Sequence, residues 1–184
     1  MLKKNIYVVR HCKAEGQEPE AKLTDLGVIQ AEELTDVLLK KDIHFIISSP
    51  FQRARHTITP LAEKLGIEVV LDDRLAERVL SNENQPDWLT MLRKTYDDLD
   101  LCYEGGESSN TAMSRAISVV KELLDSEYQN IVLVSHGNLI SLLLKHFDGQ
   151  IGFKEWEALS NPDLFHLAFS EDKPHIYRIC HFGS

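Results

Sequence analysis

Ile6-Tyr7-Val8-Val9-Arg10-His11 is a short apolar run that stops at a guanidinium and an imidazole. An apolar run without alternation reads as a strand covered on both faces, the kind that builds parallel sheets. In open α/β sheets ligands bind beyond the carboxyl ends of the strands, so Arg10 and His11 stand where a substrate would be met. Two later segments repeat the pattern. Ile43 to Ile47 runs into Ser48-Ser49-Pro50-Phe51-Gln52-Arg53, and Ile131 to Val134 runs into Ser135-His136-Gly137.

Helical patterns alternate with these strands, which predicts βαβ units, a mostly parallel sheet with an antiparallel edge and a three-layer αβα sandwich. Thr24 reads as the N-cap of a helix with Leu26, Ile29, Leu34, Val37 and Leu38 on its buried side, ending before His44. Ser49 is expected to cap a second helix with Pro50 at its first position, closed by Gly66. Ile67 to Leu71 reads as a third strand, and Glu83 to Leu99 as an acidic helix entered near Pro86. Gly105 to Ser108 turns into a long helix that buries Met113, Ala116, Ile117, Val120, Leu123 and Leu124. Gly137 opens an almost wholly apolar helix through Leu144, and Leu164–Phe169 with His175–Ile179 forms a closing hairpin. That edge could pair across a two-fold axis, so a homodimer stays open.

At 184 residues the chain is read as a single domain over 1–184, without repeats or low-complexity linkers. Its formal charge of −9 argues against nucleic-acid or anionic-membrane partners, which such a field repels. No apolar run has the length of a membrane span, and the first residues lack a signal-type hydrophobic region. Cys12, Cys102 and Cys180 form no C-x-x-C pair, so the cytoplasm is the simplest setting. Arg10, Lys13, Lys22, Arg53 and Arg55 near the first strand ends nevertheless suit a small anion.

The residue types select the chemistry. Neither H-E-x-x-H nor paired cysteines occur, and arginines beside the histidines would repel a cation, so neither metal nor cofactor is expected. Walker A and G-x-S-x-G patterns are missing, and a phosphate loop on Cys12 would place its arginine at Glu18. What fits is neutral His11 attacking phosphorus in line, with Arg10 and Arg53 on the equatorial oxygens and His136 opposite. Glu77, just after the third strand, is the expected general acid and later base for water. His44, His56, His146, His166, His175 and His181 are expected to pack or lie at the surface, and Arg55, Arg74 and Arg78 to be solvated or paired with acids.

Taken together these residues resemble the histidine phosphatases of the phosphoglycerate mutase-like superfamily. Arg10-His11 is similar to its R-H-G signature, and Leu23-Thr24 with Gly27 to L-T-x-x-G. Ser49-Pro50 with Arg53-Ala54 and Thr57 is similar to S-P-x-x-R-A-x-x-T. Leu75-Ala76-Glu77 resembles L-x-E, Gly106-Glu107-Ser108 resembles G-E-S, and His136-Gly137 the second-histidine motif. The resemblance implies a phosphohistidine on His11, catalysis by His11, Glu77 and His136, and substrate contacts from Arg10, Arg53, Gln17, Thr24 and Gly137. Gln17 stands where many members carry a phosphate-binding asparagine. Cys12 replaces the family glycine, and is expected either to crowd the pocket or to be a packing substitution, the latter favoured over a redox switch. Glu107 is expected to brace the site through Arg115. Asn138 is divided between capping the apolar helix and facing the ligand. Residues 79–106 match neither branch of the family and are read as a substrate-specificity segment. The leading expectation is a metal-independent phosphomonoesterase acting on a small phosphate ester and releasing inorganic phosphate. A phosphoglycerate mutase and a low-turnover phospho-ligand binding module are the alternatives; the acidic middle segment and a C-terminus without a basic tail favour hydrolysis.

Overall fold

A computed structural model describes residues 3–181; Met1-Leu2 and the tail Phe182–Ser184, on which the signal and tail readings partly rest, lie outside the described residues. Strand β1 (Lys4–Arg10) is followed by α1 (Asp25–Leu38), β2 (Phe45–Ser48), α2 (Gln52–Leu65) and β3 (Val69–Leu71). Then come α3 (Trp88–Asp97), α4 (Ser109–Asp125), β4 (Asn130–Ser135), α5 (Gly137–Phe147), α6 (Phe153–Glu157), β5 (Asp163–Phe169) and β6 (Pro174–His181). The sheet order is β3-β2-β4-β1-β5-β6. β1 to β4 run parallel and β5 and β6 are antiparallel, as the sequence predicts.

The period of two along each strand divides the core into two layers. Ile6, Val8, Ile131 and Leu133 face α4 and α5, where they meet Ala116, Val120, Leu139 and Leu143. Tyr7, Val9, Val132 and Val134 face the other way, onto Leu34 and Leu38 of α1 and Ile58 and Leu61 of α2. Both faces of the central strands are therefore dry, which is why those strands carry no polar alternation. Parallel register sets Arg10 beside Ser135 and Ser48 beside Val134, so the ends of β1, β2 and β4 finish at one level. Among the described residues no helix is long and apolar enough to cross a membrane.

Three local expectations are corrected. Helix α2 begins at Gln52 with Phe51 as N-cap, so Ser49 does not cap it and Pro50 precedes it. The Ser49 hydroxyl is engaged elsewhere, accepting from the Phe51 N–H and bonded to a histidine. On α1 the buried face is Gly27, Gln30, Ala31, Leu34, Thr35 and Leu38, whereas Leu26 and Ile29 are exposed. At its N-terminal end that face is built around backbone rather than a large side chain. A Cβ on Gly27 would lie 2.1 Å from the Lys13 carbonyl oxygen, so only glycine lets the helix reach the loop after β1. The third correction is one of length: β3 keeps only Val69–Leu71, and the acidic segment is helical from Trp88 to Asp97.

The close approach at Gly27 makes a prediction. Gly27→Ala is expected to destabilise the fold by about 1–3 kcal/mol, because helix or loop must shift to relieve a backbone clash. Urea unfolding of the two proteins measures it.

Candidate active site

His11 is the first residue beyond β1 and its N–H donates to the Ser135 carbonyl, 3.2 Å away, so β1 and β4 remain paired up to the nucleophile candidate. The loop behind it is pinned from three sides. The Cys12 N–H donates to Thr57 Oγ1 at 2.9 Å, the Lys13 N–H to Gln30 Oε1 at 3.0 Å, and Asn161 Nδ2 to the His11 carbonyl at 3.0 Å. His11 Nδ1 lies 2.7 Å from the Cys12 carbonyl oxygen. A carbonyl only accepts, so Nδ1 carries the proton and the lone pair is on Nε2.

Arg53, on the first turn of α2 and 1% exposed, aims its Nε at that lone pair over 3.2 Å. Its Nη1 donates to the carbonyls of Gln17 and Glu18. Arg10 reaches the carbonyls of Leu159 and Ser160 through Nη1, while its buried Nε finds no partner in the protein. Gly137 lies flat against this guanidinium. A Cβ there would come within 2.9 Å of it, so the second-histidine motif needs glycine for contact with Arg10. His136 is fully buried, its ring centroid 5.1 Å from that of His11, with Nε2 2.7 Å from Ser49 Oγ and Nδ1 unpartnered.

Burial, then the nearby guanidiniums of Arg53 and Arg10, disfavours a charge on His11, and the Cys12 carbonyl only partly opposes them; its pKa falls from 6.5 to about 3. His136 is pushed well below the ordinary histidine value by burial first, then by His11, Arg53 and Arg10. Both rings are neutral at physiological pH. Burial also lowers Arg10 and Arg53, and Glu77 is the main charge that opposes it.

Glu77 sits between the third strand and α3 and accepts from the backbone N–H groups of Asn138 and Leu139 at 3.0 Å, and of Arg78 at 2.8 Å. It thus caps α5, whose own N-cap, His136, makes no side-chain cap bond. Arg115 braces the segment: it grips Glu107 through Nε and Nη2 and donates Nη1 to the carbonyls of Arg74 and Ala76. Glu107 therefore has the bracing place expected of it.

Not every expected site residue is here. Thr24 caps α1, its hydroxyl accepting from Gly27 N, and lines neither of the two cavities that Glu77 borders. Cys12 points away from the site into a cluster with Leu23 and Ala31, so it does not crowd the pocket, and burial pushes its thiol up to about 12. Gln17 borders both cavities. Arg78 corrects the expectation of a solvated side chain: it is 6% exposed and held by Thr95, Ser109 and the Glu107 carbonyl. Its place beside Glu77 was the available signal. The support from Asn161, distant in sequence, had none.

Buried neutral histidines and guanidiniums at the ends of parallel strands define a class of αβα protein built to receive a phosphoryl group. Residues 6–181 match the family model of the histidine phosphatase superfamily (branch 1), and the chain belongs to that superfamily as a hydrolase of phosphate monoesters. It is 27% identical to "Putative phosphoserine phosphatase 2" of Hydrogenobacter thermophilus, over 97% of both chains. It is 31% identical to glucosyl-3-phosphoglycerate phosphatase of Mycobacterium tuberculosis over 67% of this chain and 63% of that one. A mycobacterial glucosyl-3-phosphoglycerate phosphatase complexed with VO3 superposes with a TM-score of 0.79 at 26% identity, covering 95% of this chain and 98% of the other.

The depressed histidine pKa couples to stability with a definite sign. Between pH 6.5 and about 3 the unfolded chain takes up a proton at His11 that the folded chain refuses, so this residue makes stability fall as pH drops through that window. His11→Gln is expected to flatten the slope, as read from urea midpoints between pH 7 and 4.

Proposed function

We propose that His11, Glu77 and His136 carry the chemistry, and that Arg10, Arg53, Gln17 and Gly137 form the phosphate-binding floor, in a metal-independent phosphomonoesterase. The observation that carries this reading is the Nδ1–H bond from His11 to the Cys12 carbonyl, which leaves Nε2 as a neutral, fixed nucleophile between two arginines. Burial there excludes competing water, and the unpartnered Arg10 Nε and His136 Nδ1 suit an oxygen-rich dianion.

A phosphate ester entering the site draws Arg53 Nε from the imidazole to an equatorial oxygen and so frees the lone pair. The His11 Nε2–P bond forms as the P–O bond to the alcohol breaks, and the leaving oxygen takes a proton from Glu77. A water then gives its proton back to Glu77 while attacking phosphorus on the opposite side, the N–P bond breaks, and inorganic phosphate leaves. The Ser49 hydroxyl, rotated toward His136 Nε2, leaves a proton on Nδ1 to donate to the transferring group.

The chain works as a single domain in the cytoplasm, on small phosphorylated molecules rather than nucleic acid or membrane, with residues 79–106 shaping the choice of ester. The net charge of −9, which repels polyanions and anionic lipid surfaces, supports the choice of small molecules over such partners.

Phosphate release from an aryl phosphate is expected to persist in EDTA and to vanish in His11→Ala; equal rates in the two proteins remove His11 from the mechanism. His136→Ala is expected to cut kcat strongly. Glu77→Gln is expected to slow turnover of alkyl esters by about 10²–10⁴-fold, since their leaving group needs the proton.

A further inference from the structure

The cavity that Glu77 and Arg10 border extends away from the phosphate floor to a volume of about 550 Å³, room for a drug-sized organic body. Its far wall is built by the specificity segment and α6: Leu80, Asn84, Trp88 and Leu92 on one side, Trp156 on the other. The two indoles meet edge to face, centroids 6.5 Å apart and planes at 87°, and Trp88 keeps half of its surface exposed. Asn138, 7% exposed, borders the same space.

The cations of this wall are committed. Arg10 serves the phosphate floor, and Arg78 directs Nε, Nη1 and Nη2 at Thr95, Ser109 and the Glu107 carbonyl. A substrate carboxylate would thus meet indole, leucine and amide, with the Glu77 carboxylate at the base and Glu83 at the adjoining rim. Burying such a charge without a partner is costly. A flat neutral ring would instead find an indole-lined wall to pack against.

We propose that this cavity is a leaving-group subsite for a neutral alcohol bearing a planar heterocycle, of the size and chemistry of a nucleoside, and that small carboxylate-bearing esters are poor substrates. The assignment rests on the phosphatase reading and deepens it. It differs from what the names of the phosphoserine and glucosyl-3-phosphoglycerate phosphatases would suggest, since phosphoserine and phosphoglycerate esters are both carboxylated.

Trp88 and Trp156 are the two tryptophans of the chain, so indole fluorescence excited beyond the absorption of the five tyrosines reports this wall. Adenosine 5′-monophosphate is expected to quench it saturably, and O-phosphoserine at the same concentration is not. In steady-state assays kcat/KM for adenosine 5′-monophosphate is expected to exceed that for O-phosphoserine and 3-phosphoglycerate by about tenfold or more, and Trp88→Leu to lower it about tenfold relative to glycerol 3-phosphate. A preference for O-phosphoserine or 3-phosphoglycerate, or an unchanged ratio in Trp88→Leu, overturns the proposal. So does a preference for glucose 6-phosphate, which would give the wall to a sugar face. Saturable quenching without turnover of any ester sinks the phosphatase reading and leaves the subsite standing; turnover of an aryl phosphate without quenching by the nucleotide does the reverse.

Discussion

One hydrogen bond, from His11 Nδ1 to the carbonyl of the next residue, organises this molecule. It selects the tautomer, and with it which ring nitrogen can form a bond to phosphorus. A bond to an adjacent carbonyl holds only if the loop cannot turn, and much of the surrounding structure keeps it from turning. Thr57 on α2 holds the Cys12 N–H, Gln30 on α1 holds the Lys13 N–H, and Asn161, before β5, holds the His11 carbonyl. The burial of Cys12 among Leu23 and Ala31 anchors the same turn from below.

The second constraint is electrostatic. Arg10, Arg53 and two histidines are gathered where little water reaches, and the cluster is tolerable because the histidines give up their charge while backbone carbonyls take the guanidinium N–H groups. Glu77 offsets part of the remaining field, and is itself tied to the start of α5. The chain as a whole is acidic, so the guanidiniums of this depression stand against the field of the rest of the molecule.

The sheet and its strand-end residues were legible because buried parallel strands leave unbroken apolar runs, and because His11, Arg53 and His136 each follow one directly. Glu77 was legible from its place after the third strand. What stayed hidden depends on distance or direction. The exposure of Leu26 and Ile29 follows from α1 lying so close to the Lys13 carbonyl that Gly27, not a leucine, faces inward. Thr24 looked like a ligand residue through its motif, but its hydroxyl is consumed locally as a cap. Cys12 could be read either way until the turn direction was known. Arg78 resembled any surface arginine, since burial by Thr95 and Ser109 is a tertiary fact.

The two helical layers hold different halves of the site. The layer of α1 and α2 holds the nucleophile's tautomer and Arg53, whereas the layer of α4 and α5 holds the carboxyl through Arg115 and the backbone of Asn138 and Leu139. Imidazole and carboxyl are therefore held from opposite faces of the sheet, which acts as a common ruler between them. Slippage of either layer on its face of the sheet would change the gap between imidazole and carboxyl without breaking a single hydrogen bond inside either half. The stiffness of four central β-strands, rather than any one side chain, keeps imidazole and carboxyl in register.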